Sequence, residues 1–374
     1  MMTQKIGILT FSYSSNPGSV LQAYALQEVV SKHFSCDAHI INYHKEEAGK
    51  PIIGKTVFCP PFRNWTPKNI FKWIARIIEY PSRMKPYKKF FNTYYNGYPS
   101  KRVYRKDLID LEPQYDKFIV GSDQVWNFNS CNVDETFFLD FVNDSNKKIS
   151  YAASMGGYEI PSNKRDELKQ LINKFKNISV REDFSVKTIL DLTGKKADLV
   201  LDPSMLLESS HYLNISKKPK EKKYVLLYLR ESSLELETIA KEYAQKNNLS
   251  LVKILKHKKF SKKGILGKTI SPREWLGYMS NAEYVFTNSF HGICFSIIFC
   301  RQFYVYLLKQ VSTQTNPRMQ SILSMFELED RMIQHKIENG LDIDYSKINM
   351  IKNNMREKSF NYLRNSLEGD ACLC

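Results

Sequence analysis

One histidine stands where a strand pattern changes into a helix pattern, and its surroundings suit an anion. The strand ends at Asn288 and Ser289, and His291 and Gly292 follow where a helix is expected to begin. The first turn of a helix carries backbone N–H groups without partners and the positive end of the helix dipole, which together favour a negatively charged ligand. The same dipole disfavours positive charge on His291, so we expect a neutral imidazole that is available for proton transfer. The alternative is a buried histidine that only caps the turn.

A single arginine follows another strand pattern. Arg181 comes directly after Ile178–Val180, and Glu182 and Asp183 come next. An arginine at the carboxyl end of a strand can hold a carboxylate or a phosphate with two parallel hydrogen bonds. The alternative is a surface ion pair between Arg181 and the neighbouring acids.

A polar loop follows a third strand, at Gly121–Asn127. Ser122, Asp123 and Gln124 could form hydrogen bonds with sugar hydroxyls, and Trp126 could stack on the face of a sugar ring. The alternative is an ordinary turn between a strand and a helix, with Trp126 in the core.

The loop after the first strand is the fourth candidate. The loop 14–19, which contains Asn16, Gly18 and Ser19, could present backbone N–H groups to a phosphate, although it lacks the two-glycine spacing of a P-loop or a dinucleotide-binding motif.

These loops are positioned by short β-branched runs that alternate with amphipathic helical windows. Such alternation predicts α/β domains with parallel sheets, in which ligands bind at the carboxyl ends of the strands. A chain of 374 residues exceeds what one hydrophobic core usually serves. We therefore predict an N-terminal domain over 1–208 with a helical insertion over about 45–113, a linker over 209–223, a second domain over 224–330 and a helical tail over 331–374.

The composition limits the class of protein. The net charge of +16 favours anionic partners, yet no nucleic-acid-binding motif accompanies it, so we expect no nucleic acid. The seven cysteines form no Cys-x-x-Cys pair, so neither a metal site nor a disulfide framework is expected. No signal-peptide pattern or long apolar run is present. These features predict a cytoplasmic protein, with peripheral contact to the inner face of the cell membrane as an option.

Six motifs in a fixed order resemble the polysaccharide pyruvyl transferase family. They are NPGSVLQAYAL (16–26), VGSDQVWN (120–127), YAASMG (151–156), SVRE (179–182), LDPSML (201–206) and SFHG (289–292). The resemblance covers most of the chain. It implies a glycosyltransferase-B-like fold, in which two Rossmann-like domains face each other across a cleft.

The resemblance also implies a reaction and roles for residues. Members of the family transfer pyruvate from phosphoenolpyruvate to a sugar of a surface polysaccharide such as a capsule, or to its lipid-linked precursor, and form a pyruvate ketal. His291 then corresponds to the active-site histidine, and Arg181 to the arginine that holds the donor. Arg318 stands where relatives have a Lys or Arg that contacts phosphate.

The resemblance and the four loops together define the predicted site. We predict His291, Arg181 and Asp123 as catalytic residues, with Asp123 facing an acceptor hydroxyl. The residues predicted to bind substrate are Asn16, Gly18, Ser19, Ser122, Gln124, Asn288, Ser289, Gly292 and Arg318. No step of the implied reaction requires a metal or a cofactor.

Two other functions remain compatible with the same sequence. One is a glycosyltransferase that uses a nucleotide sugar, because a fold does not fix a function. The other is a catalytically silent partner of enzymes of polysaccharide biosynthesis.

Overall fold

The fold is built on two parallel β-sheets, each flanked by helices. The computed structural model describes residues 3–47, 50–51, 67–97, 101–128, 134–157, 159–255, 259–261, 264–266, 270–308, 316–333 and 342–369. The class predicted from the alternating pattern, α/β with parallel sheets, is confirmed.

The N-terminal half contains the first sheet. Its elements are β1 (Lys5–Leu9), α1 (Pro17–Lys32), β2 (Asp37–Ile40), an antiparallel pair of β3 (Glu46–Glu47) and β4 (Lys50–Pro51), α2 (Pro67–Tyr94), β5 (Lys117–Val120), β6 (Lys148–Ser150), α3 (Arg165–Asn173), β7 (Ser179–Val180), α4 (Asp183–Thr193), β8 (Asp198–Leu199) and α5 (Ser209–Ile215). Strands β2, β1, β5 and β6 lie side by side and run parallel. The parallel pair β7–β8 extends this layer, because isolated bridges join Ile149 to Asn177 and Ala153 to Val180.

The C-terminal half contains the second sheet. Its elements are β9 (Tyr224–Leu229), α6 (Leu234–Lys246), β10 (Ser250–Leu255), an antiparallel pair of β11 (Lys259–Ser261) and β12 (Gly264–Leu266), α7 (Pro272–Asn281), β13 (Tyr284–Thr287), α8 (Phe290–Ile298), β14 (Gln302–Tyr306), α9 (Asn316–Met325), β15 (Met332–Ile333) and α10 (Tyr345–Glu368). The parallel strands lie in the order β10-β9-β13-β14-β15. Strand β9 is buried along its whole length, as expected for a central parallel strand with both faces covered.

The inserted segment contains one long helix. The sequence predicts two helices here, near 68–79 and 84–95, and that prediction is wrong, because α2 runs continuously from Pro67 to Tyr94 through Pro81 and Pro86. Each proline removes one backbone hydrogen bond, whereas Met84, Tyr87 and Phe91 in the same stretch are buried in the main core. Packing therefore outweighs the local penalty of the prolines. Residues 48–49, 52–66 and 98–100 of the predicted insertion lie outside the described residues.

The C-terminal helix α10 returns to the N-terminal sheet. The hydroxyl of Tyr362 donates to the Ser150 carbonyl at 2.7 Å, and Ser359 Oγ accepts from the Leu201 amide at 3.0 Å. The helix thereby ties the end of the chain to the first domain. The segment predicted as a linker, 209–223, begins with the short helix α5, whose Tyr212 is buried.

No helix in the described part of the chain is both long and apolar enough to cross a membrane.

Candidate active site

The carboxyl ends of strands from both sheets meet around His291. The histidine is the second residue of α8, which follows β13 in the second sheet. Arg181 follows β7, and Asp123 follows β5. Asp202, which lies shortly after β8, completes the group. All four side chains are buried, so the two domains enclose them together.

Arg181 lies at the centre of a network of carboxylates. Its Nη1 lies 2.7 Å from Asp202 Oδ2, and its Nε lies 3.0 Å from Glu182 Oε1. Its Nη2 lies 3.6 Å from Asp123 Oδ1, and its guanidinium lies 4.2 Å from the centre of the Phe290 ring. The ion pair with Glu182 therefore exists, but it is buried and not at the surface as the alternative for Arg181 had it. Nη2 remains buried without a hydrogen-bond partner among the described residues, so this atom can still bind a ligand.

The His291 side chain is buried against Gly18, and its imidazole is uncharged. A Cβ atom added to Gly18 would lie 2.3 Å from His291 Cγ, so the glycine of α1 makes room for the imidazole. Burial lowers the pKa of His291 to about 4, even though Asp202 and Asp123 oppose that change. Its Nε2 lies 3.9 Å from Asp202 Oδ2 and has no hydrogen-bond partner in the described part of the chain.

The residues next to His291 shape its loop. Ser289 caps α8, since its Oγ accepts from the Gly292 amide at 3.3 Å. Asn288 joins this loop to the end of β9, because it accepts from the Arg230 amide and donates to the Glu231 carbonyl, both at 2.8 Å. The polar atoms of Asn288 and Ser289 are thus used within the protein, and their direct contact with a substrate stays a prediction.

In the Gly121–Asn127 loop, Ser122 supports the site from within the protein, and Asp123 belongs to the site itself. Ser122 is fully buried: its Oγ accepts from Arg181 Nη1 at 3.2 Å and lies 3.0 Å from Asp202 Oδ2. Asp123 adopts a left-handed backbone conformation, with φ 66°, after a cis peptide bond between Gly121 and Ser122. Burial would raise the pKa of Asp123, but Arg181, His291 and Arg318 lower it to about 2. The Asp123 carboxylate is therefore a hydrogen-bond acceptor at neutral pH.

Trp126 belongs to the core. Its Nε1 donates to the Phe137 carbonyl at 2.9 Å, and its ring stacks on Phe138 with centroids 5.3 Å apart. The hypothesis that Trp126 stacks on a sugar is therefore wrong. An indole that finds an acceptor for its N–H inside the protein gains more from burial than from exposure in a loop.

Arg318, at the start of α9, approaches the same centre. Both of its Nη atoms lie 2.9 Å from the side-chain amide of Gln124, whose oxygen is assigned to face them. Burial and the charge of Arg181 lower the pKa of Arg318 to about 10. Its Nε is buried with no hydrogen-bond partner among the described residues. The guanidinium is therefore enclosed without a full set of acceptors.

The loop before α1 brings one further polar atom. Asn16 precedes the helix, and its Oδ1 is buried without a hydrogen-bond partner in the described ranges. The hydroxyl of Ser19 donates to the Phe11 carbonyl at 2.6 Å and so stabilises the loop. Of the three residues predicted in this loop, Asn16 has a polar atom without a partner, Gly18 leaves room for the His291 ring, and Ser19 holds the loop in place.

Three buried polar atoms without partners among the described residues belong to side chains that act on one another at this centre: Arg181 Nη2, His291 Nε2 and Arg318 Nε. A fourth such atom, Asn16 Oδ1, lies two residues before Gly18, which packs against His291. Native proteins leave few such atoms unless a ligand or an ordered water satisfies them. Two arginines can bind an anion, and a neutral histidine can accept and return a proton. In the described part of the chain, no group of three or more His, Cys, Asp or Glu side chains is arranged to hold a metal ion.

Asp202 is the functional residue that loop-by-loop reading of the sequence missed. It accepts from Arg181 and from the Ser204 hydroxyl, and its Oδ2 lies 3.9 Å from His291 Nε2. The available signal was its place in LDPSML directly after a strand, where an aspartate before proline also caps a short helical turn.

Comparison with known proteins shows the family of the chain. The family model described as "Polysaccharide pyruvyl transferase" matches residues 16–308 of the chain, which is more than half of it. No curated protein matches the sequence significantly.

Solved structures give the fold. The S. aureus MnaA–UDP co-structure aligns over 98% of this chain and 97% of its own, with a TM-score of 0.50 and 12% identity. The UDP-GlcNAc 2-epimerase from Neisseria meningitidis bound to UDP-GlcNAc aligns over 97% and 94%, with a TM-score of 0.48 and 8% identity. At this level of identity the likeness concerns the fold alone. The chain has the glycosyltransferase-B-like arrangement of two Rossmann-like domains.

Proposed function

Because the chain belongs to the polysaccharide pyruvyl transferase family, we propose that it transfers the pyruvyl group of phosphoenolpyruvate to a sugar and forms a pyruvate ketal. The observation that carries this proposal is the buried centre of Arg181, Arg318 and His291, where each side chain has an atom without a partner. A donor with a carboxylate and a phosphate supplies the acceptors that such a centre lacks.

The two arginines have different tasks in this proposal. Arg181 already pairs with Asp202 and Glu182, so it presents only Nη2 to the donor. Arg318 is held by the Gln124 amide alone among the described residues, so more of its charge is available to a phosphate. We assign the phosphate of the donor to Arg318 and its carboxylate to the Nη2 edge of Arg181.

The reaction requires one proton to be added and two to be removed. The methylene carbon of the donor takes a proton, and a sugar hydroxyl attacks the neighbouring carbon and loses its own proton. Phosphate then leaves, a second hydroxyl attacks the same carbon, and the proton of that hydroxyl passes to the released phosphate. The products are the cyclic ketal and inorganic phosphate.

His291 is the group that can carry these protons. Since the pKa of Asp123 is held at about 2, its carboxylate can orient an acceptor hydroxyl but cannot donate a proton. The imidazole of His291 is neutral in the free protein, and the negative charge of a bound donor favours its protonated form. Donor binding would therefore favour protonated His291, which gives its proton to the methylene carbon. The neutral imidazole that remains then accepts the proton of the attacking hydroxyl.

Calorimetry with the donor alone tests this proposal without knowledge of the acceptor. We expect wild-type protein to bind phosphoenolpyruvate saturably, and Arg318→Gln to weaken binding at least about tenfold through loss of a charge-assisted contact. Arg364→Gln, which removes an exposed arginine on α10, should bind like wild type. If a panel of nucleotide sugars binds and phosphoenolpyruvate does not, the glycosyltransferase alternative is correct.

We also propose that α2 brings the protein to the inner face of a membrane. Ile74 and Ile78, one turn apart, are exposed, the latter by 72%, and Lys85 and Lys89 continue along the helix as exposed residues. An apolar turn followed by lysines suits the boundary between acyl chains and anionic headgroups.

Vesicle sedimentation tests the membrane proposal. We expect binding to vesicles that contain phosphatidylglycerol and weak binding to pure phosphatidylcholine. The double variant Ile74→Ser/Ile78→Ser should bind at least about tenfold less, since burying each isoleucine is worth about 1.5–3 kcal/mol. Leu234→Ser, which removes an equally exposed leucine from the other domain, should have no effect. Equal binding of both variants would contradict the role of α2.

A further inference from the structure

Arg230 is a cation that no acid in the described part of the chain neutralises. It comes directly after β9, and its side chain is half-buried. No carboxylate in the described ranges lies within 4.0 Å of its guanidinium. Burial of a charged group costs free energy unless a partner compensates it. The Arg230 guanidinium is therefore suited to an anion that binds from outside the protein.

The main chain places Arg230 next to the start of α8. Strands β9 and β13 are parallel neighbours in the second sheet. Just beyond them, the Arg230 amide donates to Asn288 Oδ1 at 2.8 Å, and Asn288 lies three residues before His291. Arg230 and His291 therefore extend from adjacent strand ends at the carboxyl edge of the sheet, where α/β sheets of this kind bind their ligands.

The Tyr228 hydroxyl connects the Arg230 side chain to the cap of α8. Burial raises the pKa of Tyr228, whereas the charge of Arg230 and the hydroxyl of Ser289 lower it. Both groups therefore lie close to the Tyr228 hydroxyl, which is buried and has no partner at hydrogen-bonding geometry among the described residues. Ser289 caps the helix through the Gly292 amide at 3.3 Å. The Tyr228 hydroxyl is thus a donor without an acceptor beside the first turn of α8.

Arg230 also acts on the arginine that we assign to the donor phosphate. Burial and Arg181 lower the pKa of Arg318, and Arg230 lowers it as well. Guanidinium groups repel each other, so two of them within electrostatic reach favour an anion that both can bind. Arg318 Nε has no hydrogen-bond partner among the described residues, so this arginine still has a donor to offer such an anion.

The charges of the buried centre indicate that one further cation is needed. Arg181 lies within 4.0 Å of three carboxylates, those of Asp123, Glu182 and Asp202. With Arg318 as the second cation and a neutral histidine, this group has one negative charge in excess. A donor adds the charge of its carboxylate and about −1.5 to −2 from its phosphate at pH 7. The guanidinium that follows β9 removes the excess, so the donor does not meet a site of its own sign.

We propose that Arg230 binds the phosphate of the donor together with Arg318, and that the Tyr228 hydroxyl donates to the same phosphate. This inference rests on the proposed function and adds two substrate-binding residues to it. Arg181 then binds the donor carboxylate through Nη2. Inorganic phosphate, the second product, binds to the same two guanidinium groups and competes with the donor.

Calorimetry with three small anions separates the phosphate from the carboxylate. The probes are phosphoenolpyruvate, inorganic phosphate and pyruvate, which carries a carboxylate alone. Arg230→Gln should weaken the binding of phosphoenolpyruvate and of inorganic phosphate at least about tenfold each and leave pyruvate binding unchanged. Arg230→Lys should bind phosphate more tightly than Arg230→Gln does, because lysine keeps the charge. Tyr228→Phe should weaken phosphate binding about three- to tenfold, the effect of losing one hydrogen bond.

Lys241→Gln is the matched control. It removes an exposed positive charge from α6, in the same domain, and should leave the binding of all three anions unchanged. Urea unfolding should give similar free energies for Arg230→Gln and Lys241→Gln, because the Arg230 side chain forms no ion pair in the described ranges. Equal phosphate binding in these two variants would overturn the proposal. Equal weakening of phosphate and pyruvate binding in Arg230→Gln would also overturn it, because Arg230 would then not be specific to the phosphate.

Failure of the proposed function gives a different result. If phosphoenolpyruvate does not bind wild-type protein, the donor assignment fails, and inorganic phosphate remains the probe. Weaker phosphate binding in Arg230→Gln than in Lys241→Gln would still support an anion site at Arg230. If neither anion binds wild-type protein, both proposals are rejected. If phosphoenolpyruvate binds equally to wild type and Arg230→Gln but weakly to Arg318→Gln, the donor assignment stands and the role of Arg230 is rejected.

Discussion

Replacing His291 by asparagine is expected to lower kcat by about 10²- to 10⁴-fold while the protein stays folded. This is the range by which a positioned acid or base accelerates proton transfer. Asparagine is smaller than histidine and polar, so it fits beside Gly18 and leaves Asp202 and Arg181 paired. The measurement is phosphate release from phosphoenolpyruvate in the presence of a total extract of sugars and lipid-linked sugars from the source cells, with circular dichroism as the check on folding.

The matched control is His33→Asn. His33 caps the carboxyl end of α1, whereas Gly18 packs against His291 at the other end of this helix, and the His33 ring stacks on Phe360 of α10 with centroids 4.3 Å apart. Its replacement should leave kcat unchanged. If the His291 variant keeps the activity of wild type, proton transfer belongs to another group and the mechanism proposed above is wrong.

The His291→Asn variant also tests the charge state of His291. Because the pKa of the free histidine is lowered to about 4, the imidazole carries no proton above about pH 5. A bound dianion raises that pKa, so donor binding should take up a proton, and affinity should increase as the pH falls from 8 toward 6. Calorimetry in buffers of different ionisation enthalpy measures the uptake. The same uptake in His291→Asn would assign the proton to the donor phosphate instead.

The sequence predicts the single residues of the site better than their contacts. His291 at a helix start and Arg181 at a strand end follow from local patterns, because each depends on a few neighbouring residues. The parallel sheets follow from the same alternation of strands and helices.

The contacts between these residues could not be predicted in the same way. Asp202 meets His291 only when the two domains lie against each other, and Gln124 meets Arg318 across almost two hundred residues of chain. Trp126 is exposed or buried depending on whether the Phe137 carbonyl is close enough to accept from its indole. Such facts depend on long-range packing, on which the local pattern of residues carries no information.

The second large effect is expected in the free energy of unfolding, which should respond differently to the loss of Arg181 and of Arg318. Arg181→Met should lower the free energy of unfolding by about 3–5 kcal/mol, which is the usual cost of breaking a buried ion pair. The substitution leaves the buried carboxylates of Asp202 and Glu182 without their partner. Burial would lower the pKa of Arg181, but these carboxylates raise it above its ordinary value, so the folded state strongly favours the charged guanidinium.

Arg318→Met should not lower the free energy of unfolding. Burial and Arg181 lower the pKa of Arg318 to about 10, so the folded state holds this cation at a cost. Methionine fills a similar volume without that charge, and we expect a free energy of unfolding between the wild-type value and about 2 kcal/mol above it. Binding of phosphoenolpyruvate should nevertheless be lost, because the charge that destabilises the empty site is the one that the donor phosphate requires.

Urea unfolding of the two variants, each with and without phosphoenolpyruvate, decides between a structural and a ligand-binding role. The donor should stabilise wild-type protein by mass action and leave Arg318→Met unchanged. If Arg318→Met is as unstable as Arg181→Met, then Arg318 is a structural cation like its neighbour. Within the buried centre, the donor would then have to bind through Arg181 Nη2 and His291 alone. Its phosphate would occupy both groups and leave none for its carboxylate.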